Sequence, residues 1–117
     1  MTVRPQLRLR PRVYRGTDIA LGPGKVELLA AIARTGSIRQ AAADQEMSYM
    51  RAWTLVRTMN GCFAEPLVAA ERGGASGGVA RLTPAGRQVL QLYRGLAADS
   101  LRAAAPSWRK LRKLLRP

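Results

Sequence analysis

Two helix starts stand only eleven residues apart, at Ser37 and Ser48, and this spacing constrains the fold more than any other feature of the chain. Gly36 closes a preceding helical stretch, because glycine readily takes the left-handed conformation that ends a helix. Ser37 can then cap a new helix by accepting from the free amides of its first turn. The alanine-rich run Ile38 to Asp44 has room for only about two turns. Gln45-Glu46-Met47 is a short connection, and Ser48 caps the next helix, from Tyr49 to about Asn60. Tyr49, Ala52, Trp53, Val56 and Met59 share one face of that helix, a stripe suited to a core. The other side carries Met50, Arg51, Thr54, Arg57 and Thr58, and no acid lies between Glu46 and Glu65. An apolar stripe backed by an acid-free basic face is what a groove-reading helix requires.

The flanks extend this unit. Upstream, Gly22-Pro23-Gly24 breaks the chain before a helix from Lys25 to Arg34, with Val26, Leu29, Ile32 and Ala33 at helical spacing. Downstream, Leu67 to Ala70 and Val79 to Leu82 read as two strands around a glycine-rich tip, a wing. Thr83 caps a long helix with Pro84 in its first turn. That helix runs from Ala85 to about Ala104, with Val89, Leu92, Tyr93, Leu96 and Leu101 on one stripe, and Pro106 is expected to stop it. At the other end, residues 7–15 alternate apolar and basic, a strand period, and Pro11 restricts the strand to an edge. Gly16-Thr17-Asp18 reads as a turn and Ile19 to Leu21 as the returning strand, with Arg8, Arg10 and Arg12 on the solvent face. The expected fold is mainly α with a small β wing: a winged helix-turn-helix with an N-terminal β-hairpin and a long C-terminal dimerisation helix. The domain spans 1–106, the dimerisation helix about 84–105, and 107–117 form a basic amphipathic tail.

Charge narrows the choice of partner. The 117 residues carry a formal charge of +13, and arginine supplies seventeen of the twenty basic residues. Residues 1–15 contribute +5 and residues 102–117 contribute +6, neither with an acid, whereas the middle of the chain holds only +2. Arginine meets phosphate with a planar fork of donors, so this distribution suits nucleic acid. With no histidine, the usual general base near neutral pH is missing. One cysteine and no histidine make a zinc site implausible, and Cys62 reads as a small buried apolar residue. The glycines at 73–78 lack the lysine and hydroxyl ending of a phosphate loop. The chain is therefore expected not to be an enzyme and to need no cofactor or metal. No apolar run reaches a membrane span, and no secretory signal follows Arg4, Arg8 and Arg10, so the expected compartment is the cytoplasm.

The order helix, Gly36-Ser37-Ile38, alanine-rich helix, Ser48-Tyr49 and Ala52-Trp53 resembles the DNA-binding domain of ModE-type molybdate-responsive regulators. So do Met59-Asn60, Pro66-Leu67-Val68, the glycine-rich wing, Leu82-Thr83 and Gly86. These regulators are distant relatives of the LysR type. The resemblance covers roughly residues 7–100. It implies a sequence-specific double-stranded DNA-binding regulator that works as a homodimer, with the 49–60 helix in the major groove. The wing, about 67–82, would lie on the flanking backbone or minor groove.

On that reading Ser48, Met50, Arg51 and Thr54 are candidates for base contact, because such helices read bases with their N-terminal part. Arg51 stands out, since a bidentate contact to guanine is the commonest specific pairing. Arg57 is expected at a phosphate. Ser37, Arg39 and Gln40 are expected at phosphates before the recognition helix, and Arg72, Ser76 and Arg81 at the wing. Tyr49 and Trp53 fit the core, although the Tyr49 hydroxyl has a phosphate as its other option. Val89, Leu92, Tyr93, Leu96 and Leu101 would pair two copies. The full regulators carry molybdate-binding domains, and molybdate binding is not expected from this chain alone. Two alternatives remain: an RNA- or ribosome-associated basic protein, and a winged-helix protein-interaction module.

Overall fold

The computed structural model describes residues 3–71 and 78–117. A hairpin of β1 (Val13–Arg15) and β2 (Asp18–Leu21) leads into α1 (Pro23–Thr35), α2 (Ile38–Asp44) and α3 (Tyr49–Cys62). A second hairpin follows, β3 (Val68–Glu71) and β4 (Val79–Leu82), and then α4 (Pro84–Arg112). Both hairpins are antiparallel, and the second has Val68 opposite Leu82 and Glu71 opposite Val79. This is the expected winged helix-turn-helix.

Local chemistry sets the joints. Gly36 sits at φ +71° and ends α1, its amide bonding the Ile32 carbonyl at 2.9 Å. A residue with a Cβ is disfavoured in that left-handed region. The Gly36 carbonyl in turn accepts from the Ala80 amide at 2.9 Å, so the wing hangs from the turn between α1 and α2. Ser37, Ser48 and Thr83 each cap a helix through the side-chain oxygen. The core centres on α1, whose Leu28, Leu29, Ala31 and Ile32 are wholly buried among Ala41, Ala52, Val56, Met59 and Leu67. The expected stripe thus misses Leu28 and Ala31, and Ala33 is exposed. A helix enclosed on most of its sides has no single apolar stripe.

Asn60 and Gly86 fasten the wing. Asn60 Oδ1 accepts from the Leu67 and Val68 amides (2.8 and 3.1 Å) while its Nδ2 donates to the Val68 carbonyl (3.1 Å). That one amide stitches the end of α3 to the start of β3. Gly86, in the first turn of α4, lies so close to β3 that a Cβ there would fall 2.1 Å from the Leu67 carbonyl oxygen.

Four expectations need correction. The alternating segment 7–15 is a strand only at Val13–Arg15, with a bulge between Val13 and Tyr14. Pro11 has no amide to offer a ladder, and the arm before β1 is held differently, by the Tyr93 hydroxyl donating to the Pro11 carbonyl at 2.7 Å. Arg8, Arg10 and Arg12 are exposed, but on this arm rather than on a strand face. Pro106 does not stop α4, which continues to Arg112. Proline removes one helical hydrogen bond, but here it is exposed, so water can take the freed carbonyl. It is flanked by alanines and by arginine, lysine and leucine, all good helix formers. Arg109, Lys110 and Arg112 in the last turn also favour the helix end electrostatically. Much of the expected 107–117 tail is therefore an extension of α4. Last, Cys62 is half-buried rather than buried.

Candidate nucleic-acid interface

The core stripe of α3 leaves its opposite side free. Ala52, Val56 and Met59 are buried, and Tyr49 and Trp53 are half-buried beside them. Met50, Arg51, Thr54 and Arg57 are exposed together on the outer side, Met50 at 75% of its surface. A methionine that exposed covers nothing of its own chain. No acid interrupts this face.

The hydroxyls are already partly committed. Ser48 Oγ accepts from the Arg51 amide at 3.1 Å, which fixes the start of the helix. Thr54 Oγ1 donates to the Met50 carbonyl and Thr58 Oγ1 to the Thr54 carbonyl, both at 3.0 Å. With its proton used inside the helix, Thr54 presents acceptor lone pairs and a methyl group outward.

The flank toward α2 is built from aromatics. Arg39 lies over the Tyr49 ring, 4.3 Å from its centroid, and Tyr49 meets Trp53 edge to face at 6.3 Å. This cation–π contact pins the start of α2 to α3. Gln40 is exposed beside Arg39. Ser37 is 7% exposed, and its Oγ accepts from the Gln40 amide at 3.2 Å. Its side chain is thus a buried cap, and the solvent-facing groups of this turn are Arg39 and Gln40. Behind them an exposed Arg34–Asp44 ion pair ties α1 to α2. The Gln45 amide bond holds the Asp44 carboxyl below its ordinary range, opposed by partial desolvation and aided by Arg34.

Arg81 is exposed on β4. Arg72 and Ser76, also expected at the wing, lie outside the described residues. On α4 the expected apolar stripe divides. Tyr93 is buried and Val89 is half-buried, both against their own domain, together with Leu90, which the sequence reading missed. Leu92, Leu96 and Leu101 remain 64%, 46% and 48% exposed. At 3.6 residues per turn, however, Leu101 lies about half a turn round the helix from Leu92 and so is not on the expected stripe with it. Between α4 and the first hairpin lies an apolar groove of about 300 Å³, bordered by Val13, Leu21, Phe63, Val89, Leu92 and Leu96. Among the described residues no group of acidic, cysteine or histidine side chains is placed to hold a metal. Nor is any helix there long and apolar enough to cross a membrane.

Sequence comparison places this architecture. The chain is 45% identical over 86 residues to the molybdenum-pterin-binding protein MopB of Rhodobacter capsulatus, covering 74% of this chain and 32% of that protein. It is 42% identical over 94 residues to the molybdenum transport protein ModE of Azotobacter vinelandii, covering 79% and 35%. To the DNA-binding transcriptional dual regulator ModE of Escherichia coli K12 it is 43% identical over 75 residues, covering 64% and 29%. The chain thus spans about a third of the length of these relatives. Among solved structures, DarR of Vibrio fischeri in complex with DNA superposes with a TM-score of 0.55 at 19% identity, over 78% of this chain and 29% of that one. At that identity the likeness is one of fold. Residues 24–87 match the model of the bacterial regulatory helix-turn-helix proteins of the lysR family, which is more than half of the chain, and the chain belongs to that family.

Proposed function

We propose that this domain binds double-stranded DNA sequence-specifically as a transcriptional regulator, with α3 in the major groove and the wing on the flanking backbone or minor groove. The observation that carries the reading is the outer face of α3. Met50, Arg51, Thr54 and Arg57 stand exposed and free of acids on a helix whose other side is locked into the core. Arg51 supplies a fork of donors for guanine, Met50 an apolar surface for a thymine methyl, and Thr54 an acceptor for an adenine or cytosine amine. Arg57, Arg39, Gln40 and Arg81 meet phosphates, which fix the register without reading sequence. Ser37 and Ser48 position α2 and α3 as caps. The relatives named above include proteins described as transcriptional regulators, which supports the same role here, without catalysis. Work on DNA also implies a cytoplasmic setting.

Two copies would pair through Leu92 and Leu96, which a single chain leaves in solvent. A two-fold pair sets its recognition helices about one turn of DNA apart, roughly 34 Å. DNA is favoured over RNA by the aromatics near α3. Tyr49 and Trp53 are engaged with each other, and Tyr49 with Arg39, whereas RNA recognition stacks bases on free rings. The test is to select a preferred duplex from a random library and compare Arg51→Ala with the parent chain. Loss of about 1–3 kcal/mol on the preferred duplex, with little change on random duplex, is expected. Equal losses on both would remove Arg51 from base reading.

A further inference from the structure

The N-terminal hairpin lies outside residues 24–87, yet β2 packs directly against α3. At 3.6 residues per turn, Arg51 and Leu55 lie on the flank of α3 toward this hairpin, while Tyr49 and Trp53 lie on the flank toward α2. Between the hairpin, that flank of α3 and the start of α1 is a cleft of about 270 Å³. Three cations from three parts of the chain border it: Arg12 before β1, Lys25 in the first turn of α1, and Arg51 in the first turn of α3. None of the residues bordering it is acidic.

Packing places the Arg12 stem and the Lys25 ammonium. Arg12 Cγ is 3.5 Å from where a Cβ on Gly22 would be, so the arginine stem crosses the start of α1 over a residue with no side chain. Lys25 Nζ donates to the Ile19 carbonyl, which holds the ammonium at the hairpin with further hydrogens to offer. Like charges gathered in one cleft repel one another unless an anion lies among them.

Geometry says where such an anion would come from. A helix about 10–12 Å across, lying in a major groove about 12 Å wide, has a sugar–phosphate ridge on each side. Arg39 and Gln40 stand on the α2 side of α3. The cleft stands on the other side. We propose that Arg12 and Lys25 seat a backbone phosphate in this cleft, on the ridge opposite α2 and beside the base-reading Arg51, so that the hairpin forms the second jaw of a clamp around the recognition helix. The proposal rests on the placement of α3 in the groove. Inorganic phosphate offers similar chemistry, and the experiment separates the two sources.

The full chain is titrated with the preferred duplex and with random duplex across a potassium chloride series. Arg12→Gln and Lys25→Gln together are expected to lower the slope of log K against log salt by about 0.9, the value for one phosphate contact, and each alone by part of that. They should weaken both duplexes by the same factor. Arg12→Lys, which keeps the charge, should restore the slope, and Arg94→Gln on α4 should leave it unchanged. Circular dichroism confirms that each variant is folded. An unchanged slope in both Arg12→Gln and Lys25→Gln overturns the clamp, as does an equal fall in Arg94→Gln. Calorimetric titration with inorganic phosphate forms the second arm. Saturable binding that Arg12→Gln abolishes, with the DNA slope unchanged, makes the cleft a free-anion site and also overturns the proposal. If the parent chain prefers no duplex, base reading by α3 fails, and the slope on random duplex still decides the clamp.

Discussion

In α3 the apolar residues Ala52, Val56 and Met59 are sealed inside their own chain, and what faces solvent is, Met50 apart, polar and basic. In α4 the sealed residues are Gly86, Leu90 and Tyr93, and Leu92, Leu96 and Leu101 face solvent although they are apolar. Both helices are amphipathic, but only α3 has its apolar side fully satisfied by the monomer. The difference separates two kinds of surface. The free side of α3 has the charge that the DNA contact proposed for it needs. On α4, Leu92 and Leu96 stand one turn apart and present an apolar surface to solvent, and adjoining exposed apolar groups of this kind mark association sites.

Substitutions can break this contrast, and they rank by how deeply each helix is tied into the chain. Met59→Ala empties a fully buried site on α3 and should cost about 3 kcal/mol in denaturant unfolding. A loss under about 1 kcal/mol would mean that α3 is less firmly seated than its burial indicates. Asn60→Ala strands the Leu67 and Val68 amides and should cost about 2 kcal/mol. Its effect should also appear as faster hydrogen exchange in β3.

On α4, Tyr93→Phe removes the bond to Pro11 and should cost about 1 kcal/mol. Burial raises the Tyr93 phenol above its ordinary value of 10.0, against the opposing pull of Arg10 and Arg12. A raised folded value means that ionisation opposes folding. The contribution is therefore whole below pH 10.0 and is lost as pH climbs through the folded value. Ultraviolet titration should show one tyrosine ionising late in the parent chain and not in Tyr93→Phe. Smallest in the free chain, Leu92→Asp with Leu96→Asp should change monomer stability by only about 0.5 kcal/mol, because both sites are exposed. The same pair should convert a dimer to a monomer in sedimentation equilibrium. A single-chain mass for the parent would sink the reading of this face as an interface.

Much of this was legible in local chemistry. The caps at Ser37, Ser48 and Thr83 and the stop at Gly36 mark helix boundaries by backbone rules alone, and α2 and β4 have the expected bounds. The core side of α3 also followed from its period. What failed depended on neighbours distant in sequence. Pro11 and Arg12 read as part of a strand because alternation does not show that Tyr93 will hold the arm. Pro106 read as a stop because its solvent exposure is a tertiary fact. Leu90 was missed because two apolar lines run along α4, and only packing decides which one the monomer buries. In the candidate site, the outer residues of α3 were readable, but the burial of Ser37 and the meeting of Arg12 with Arg51 were not. Asn60 had a signal, a lone amide at the end of an apolar stripe just before Pro66. Its role required knowing that β3 would start beside it.

Most crowding in a protein can be negotiated, because a smaller neighbour makes room for a larger newcomer. Position 86 allows no such trade. The atom a Cβ would meet there is a main-chain oxygen, which residue 67 presents whatever its side chain. No second substitution can make that oxygen smaller. The start of α4 is thereby closed to every residue but glycine for as long as the wing stays where it is, and drift in this region must go around it.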